Sequence, residues 1–255
     1  MKETLLIIFL FATNYIFGQS NSEKFKNEIL SDEYLVKTDI RNEFIKYDIS
    51  DILTKTENSR IFGFIGDDYQ RIRVKLISVI KNNDKPSQYF VYGKSMVKEN
   101  VCDFQGTITV TNVFNTRNPE IPEAKQGKII GEYLFYENPS QKHVGLFKGV
   151  FSSNWYIDKD ENLKYDDLSA VADTFNNNGF VGTWTSYVGT VSKVCNWGDR
   201  RIPMAGNLDV GVGEFYPDKK YQAKGWTSYI EAYNGGNDKE KIDKARKIEQ
   251  AKWWK

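Results

Sequence analysis

Arg71-Ile-Arg-Val-Lys-Leu-Ile-Ser-Val-Ile-Lys81 is the stretch on which the fold class turns. Ile72, Val74, Leu76 and Ile80 fall on one side of it, and Arg71, Arg73 and Lys75 on the other. Successive side chains leave a strand on opposite faces, so this alternation predicts a strand with one dry and one wet face. A helix would carry its apolar residues three and four apart instead.

The same period recurs along the chain. Residues 60–66 and 88–98 read as strands, and 81–87 (KNNDKPS) is a turn cluster. Beyond a tight turn at Glu99-Asn100, Cys102, Phe104, Ile108 and Val110 share a face opposite Thr107 and Thr109. Residues 129–137 and 144–157 read as a hairpin around Asn138-Pro139-Ser140. In its second arm Gly145, Phe147, Gly149, Phe151, Ser153, Trp155 and Ile157 share a face, a pattern that suits a curved strand whose rings cover neighbouring glycines. Further strands are predicted over 180–187, 191–197, 208–215 and 225–233, about ten in all. One helix is expected among them, because Leu168, Val171, Ala172 and Phe175 have i, i+3, i+4, i+7 spacing. The tetrapeptide Trp-Thr-Ser-Tyr occurs at 184–187 and again at 226–229. No wider similarity surrounds the copies, which argues against a repeat array, so both read as strands of one sheet. Short turns favour antiparallel pairing, and a sheet this long tends to curl. The expected fold is all-β, an antiparallel closed or nearly closed barrel, with a two-sheet sandwich as the alternative.

Around this β domain, residues 59–234, stand three other segments. Residues 1–18 begin with Lys2, continue through an apolar run over 5–12 and end in small residues, as a secretory signal does, with cleavage expected after Gly18 or Ser20. Residues 19–58 are polar, with room for one or two short helices. Residues 235–255 read as a helix supported by the Glu240–Lys244 and Asp243–Lys247 pairs, with Ile242, Ala245, Ile248 and Trp253 on its apolar side. That helix either packs on the barrel or offers a surface to an envelope partner.

The net charge of +1 carries no footprint of a nucleic-acid binder. The signal places the chain in an exported compartment: periplasm, cell surface or medium. There Cys102 and Cys195 either form a disulfide, closing a loop of about ninety residues for roughly 4–5 kcal/mol, or remain two buried thiols.

No motif specifies a reaction or a cofactor. His143 is the one histidine, it flanks a predicted turn, and no Gly-x-Ser-x-Gly elbow occurs. One histidine and two distant cysteines make no zinc set. Residues 158–162 (DKDEN) copy the start of a calcium loop, but Leu163 replaces its glycine and Ser169 its last carboxylate, so a polar turn is expected. The segment 195–203 (CNWGDRRIP) combines Trp197 with Asp199, Arg200 and Arg201; guanidinium forks and an aromatic platform could hold a sugar or an anion, or the arginines could pair with local carboxylates. Trp184 and Trp226 are further candidate stacking residues. A carbohydrate hydrolase would draw its carboxylate pair from Glu132, Glu214 and Glu231, all predicted within strands.

From residue 60 to 233 the chain resembles secreted all-β bacterial envelope proteins of unknown function, through stretches such as 91–106 (VYGKSMVKENVCDFQG) and 195–203. The resemblance implies export and an all-β fold, and no activity. Gly182-Thr-Trp184 is similar to the Gly-x-Trp of the calycin barrels, lipocalins and avidins. It sits late in this chain, where those families place it on their first strand, so it implies barrel-like architecture alone. The expectation is a monomeric or weakly associating, non-catalytic binding protein for a glycan or a small anion.

Overall fold

A computed structural model describes residues 20–121, 124–189, 191–234 and 236–255. The expected signal, residues 1–18, lies outside them. Three short helices come first: α1 (Asn21–Ser31), α2 (Arg41–Phe44) and α3 (Ser50–Thr54). Nine strands follow: β1 (Ile61–Ile65), β2 (Gln70–Lys81), β3 (Gln88–Val97), β4 (Asn100–Asn115), β5 (Lys125–Glu137), β6 (Gly145–Ile157), β7 (Leu163–Tyr165), β8 (Asn177–Ser186) and β9 (Ser192–Asp199). Two helices end the chain, α4 (Thr227–Asn234) and α5 (Lys239–Gln250).

The strands pair antiparallel in the order β5-β4-β3-β2-β1-β9-β8-β6, and β5 also pairs with β6. This closes a barrel and abolishes its edges. β7 adds to β6 beyond the end of β8. The glycine–aromatic pattern serves the curvature as expected: Gly131 faces Phe151 across the β5–β6 pair, and a Cβ on it would clash with the Phe151 ring.

The barrel interior is packed rather than hollow. Phe104, Phe135, Phe147, Tyr133, Phe180 and Trp197 interlock in it, with Trp197 stacked on Phe180 at 4.8 Å and 11°. The N-terminal segment closes one end. Phe44, Ile49, Ile52 and Leu53 join the barrel core, Phe44 against Trp155 at 4.7 Å. Lys81 Nζ ties this plug down by donating to the Ile45 and Tyr47 carbonyls at 2.5 and 2.6 Å. A second core covers the outer face of β1, where Phe62 and Phe64 pack against Leu208, Phe215, Trp226 and Tyr229. β1 is therefore buried on both faces.

Several expected elements differ. In β2 a bulge between Leu76 and Ser78 shifts the alternation by one, so Val79 faces inward and Ile80 is 61% exposed. Residues 168–175 form turns rather than a helix; Val171 is 98% exposed, and an amphipathic face with nothing to pack against does not hold a short helix. Residues 208–215 form a short 3-10 turn and loop, with Val212 88% exposed. The second Trp-Thr-Ser-Tyr copy opens α4, whereas the first lies at the end of β8. Trp226, Tyr229 and Ile230 are buried at helical spacing against β1, and that packing decides the conformation. On α5, Ala245 and Glu249 are the buried residues, and Ile248 is exposed.

The cysteines are free and buried. β4 and β9 stand four strands apart whichever way the barrel is followed, so Cys102 and Cys195 lie on opposite walls. A disulfide needs Cα atoms roughly 4.4–6.8 Å apart, and the fold forbids it. Unfolding in denaturant without reductant should therefore expose both thiols to alkylation. Intact mass should show two added labels per chain; an unlabelled chain would contradict the barrel register.

Candidate functional site

With the barrel packed, ligand chemistry falls to the outer surface and to openings between strands. One opening is a groove of about 810 Å³ at the end of the barrel that carries the β3–β4 and β5–β6 turns. It is lined by Tyr92 of β3, Asp103 and Gln105 of β4, Tyr136 of β5, Asn138 after β5, and Tyr187 after β8. The three tyrosines are each 40–46% exposed. Strand alternation produces this face: Phe104 and Phe135 point into the core, so Gln105 and Tyr136 point out.

Two of the rings are held in place. Tyr92 donates its hydroxyl to Asp103 Oδ1 at 2.9 Å, and Tyr187 donates to the Glu137 carbonyl at 2.6 Å. Asp103 is fixed in turn by Gln141 Nε2 at 3.0 Å and by Lys94 Nζ at 3.5 Å. Beneath the groove the Glu137 carboxylate accepts from Ser95 Oγ, Trp184 Nε1 and the Gly145 amide at 2.5, 2.8 and 2.9 Å. Burial pushes the Glu137 carboxyl up, against the lowering effect of those three donors. Rings fixed before a ligand arrives lose little freedom on binding it.

A second polar cluster lies at the plugged end. β1 pairs with β2 over only Phe64–Arg71 and Ile65–Gln70, and the strands part beyond. The gap holds a pocket of about 10 Å³, lined by Ile61, Val74, Lys75, Phe180, Trp197 and Asp199 among others. That is room for about one water. Asp199 Oδ2 accepts from Thr56 Oγ1 at 2.7 Å, Asn178 Nδ2 at 2.7 Å and Tyr165 OH at 3.1 Å. Among the described residues, none donates to Oδ1. Burial pushes the Asp199 carboxyl up to about 7, although these donors and the Lys75 charge pull it down.

The residues expected from sequence to form a site are dispersed. Trp197 is a core residue rather than an exposed platform, and Asp199 faces inward beside it, because β9 continues to Asp199 and its alternation sends both inside. Arg200 lies over Phe175 at 5.3 Å and donates to the Ala170 carbonyl. Arg201 pairs with Asp209 at 2.9 Å and donates to the Gly211 and Val212 carbonyls. Trp226 is fully buried, its Nε1 donating to the Tyr69 carbonyl and its ring under Arg71. Trp184 alone touches the groove, through Glu137. Glu132 lies on β5, Glu214 in a loop and Glu231 on α4, where Lys241 pairs with it at 3.0 Å. The strand placement of the last two is thus corrected. β5 stands opposite β1, against which α4 packs, so Glu132 and Glu231 occupy opposite sides of the barrel. His143 is exposed in the β5–β6 turn, and Asp158 caps its own turn by accepting from the Asp160 and Asn162 amides.

Sequence reasoning missed Tyr92 and Tyr136. The available signal was their parity: each is an aromatic residue at a position where its strand presents its wet face.

No family model, curated protein or solved structure matches this chain.

Proposed function

We propose that this chain is a non-catalytic glycan-binding protein, exported to the bacterial envelope or medium, whose binding surface is the tyrosine groove. The observation that carries the reading is the juxtaposition of three exposed tyrosines with the amides of Gln105 and Asn138 in one open groove. Sugars present apolar C–H faces and a rim of hydroxyls, and a surface of rings bordered by amides matches both. Among the described lining residues none is basic, which favours a glycan over the anionic ligand that the arginine segment first suggested. Both arginines of that segment are engaged with the protein itself. Support for export is the charged and apolar pattern of residues 1–18.

Tyr92→Ala and Tyr136→Ala should each weaken glycan binding about tenfold, a loss of about 1.4 kcal/mol, while leaving the thermal midpoint within a few degrees of wild type. An array of immobilised neutral and acidic glycans, followed by titration calorimetry on the best of them, checks this. Retention of no glycan, or unchanged affinity in both variants, overturns the reading.

A further inference from the structure

The register of three strands places Tyr92, Gln105 and Tyr136 in a single row. Tyr92 of β3 is paired with Gln105 of β4, and Gln105 with Tyr136 of β5. All three side chains leave the same outer face and are exposed. Neighbouring strands lie about 4.8 Å apart, so the two tyrosines are anchored roughly 10 Å from each other with the glutamine midway. That separation spans two sugar units, so rings stacked on the two tyrosines leave one unit between them.

The charge of the surface restricts the ligand further. Asp103 lies in the lining and Glu137 beneath it. Lys94 is already paired with Asp103 at 3.5 Å. A uronic acid or a phosphorylated sugar would bring an anion against these carboxylates.

We propose that the groove takes an unbranched, uncharged oligosaccharide laid across the strands. Alternate units stack on Tyr92 and Tyr136, and the unit between them is held at its hydroxyls by the Gln105 amide. This rests on the glycan-binding reading above and adds direction, minimum length and charge class to it. The amide suits the middle position because it donates and accepts at once, as a sugar hydroxyl does. The row sets a minimum of three units, and Tyr187 stands beyond it on the Glu137 side.

The test is titration calorimetry of the full chain with chito-, cello- and malto-oligosaccharides of one to six units, and with oligogalacturonides as charged counterparts. In at least one neutral series, affinity should rise at least tenfold between two and three units and change little beyond four. The oligogalacturonides should bind at least tenfold more weakly than neutral chains of equal length. Tyr136→Ala should remove the step at three units and leave disaccharides bound on Tyr92 and Gln105, whereas Gln105→Ala should weaken disaccharides and trisaccharides alike, about fivefold, and retain the step. Affinity already saturated at one or two units, tighter binding of the charged series, a step that survives Tyr136→Ala, or disaccharide and trisaccharide affinities unmoved by Gln105→Ala would overturn this proposal and leave glycan binding standing. Absence of binding to every series would overturn both. Both substituted residues are exposed, and an unchanged circular dichroism spectrum verifies that each variant is folded.

Discussion

Asp199→Asn should have an effect on stability that changes with pH, close to neutral in acid and stabilising above neutrality. Asp199 is fully buried, and burial raises its carboxyl from 3.8 to about 7. The folded chain therefore holds the proton more tightly than the unfolded chain. The stability this contributes is complete below about pH 4 and is lost as pH rises through about 7. At about 1.36 kcal/mol per pKa unit the full swing is about 4 kcal/mol. Asparagine keeps the oxygen that accepts from Thr56, Asn178 and Tyr165, and places an uncharged amide toward the one-water pocket. The groups facing it are Lys75 from β2 and Tyr165 from β7. Denaturant unfolding of both proteins from about pH 4 to pH 8.5 gives the difference directly, since other carboxylates cancel. Parallel curves would show that Asp199 titrates normally.

Glu249→Ala should be the most damaging single substitution on the surface-covering elements. Glu249 sits on α5 with 1% of its side chain exposed, against Arg71 at 2.6 Å and Arg73 at 2.9 Å. Ser228 of α4 also donates to it, at 2.5 Å. Arg71 is itself buried and lies over the Trp226 ring at 4.9 Å. One carboxylate thus neutralises two guanidiniums and fastens α4 and α5 to the barrel wall. Removing it strands buried positive charge, at a cost of about 3–5 kcal/mol. For a chain of this size that lowers the thermal midpoint by roughly 10 °C, read by calorimetry. Replacing all three charges together, with Arg71→Met, Arg73→Met and Glu249→Leu, should cost much less, because no unpaired charge is left behind. Equal losses in the two variants would show that α5 is held by packing alone. The pH dependence of this cluster is opposite to that of Asp199. Burial raises the Glu249 carboxyl, but the Arg71 hydrogen bonds and the two guanidinium charges together outweigh it, leaving it below its ordinary value. Its contribution is present above the unfolded value of 4.5 and is lost as pH falls.

These two carboxylates mark the boundary of what local pattern conveys. The alternation at 71–76 places Ile72, Val74 and Leu76 inside, as the structure has them, and Arg71 and Arg73 on the outer face. That an outer arginine would be buried depends on Glu249, 178 residues away. Asp199 read as part of a ligand loop, although the parity of Cys195 and Trp197 already sends it inward. The length of β9 comes from its pairing with all five residues of β1. The two Trp-Thr-Ser-Tyr copies make the same point: identical residues form the end of a strand beside β9 and the start of a helix over β1. Cys102 and Cys195 were compatible with a bridge until closure put them on opposite walls.

An all-β chain with half-buried strands could be recognised from residues alone, since in-and-out alternation and turn residues act over a few positions. Closure of the barrel, burial of Arg71, Glu249 and Asp199, and the row of Tyr92, Gln105 and Tyr136 were decided only by the tertiary structure. Each depends on which strands become neighbours and in what register. Pairing energy is gathered between segments far apart in the chain, where no local pattern of side chains records it.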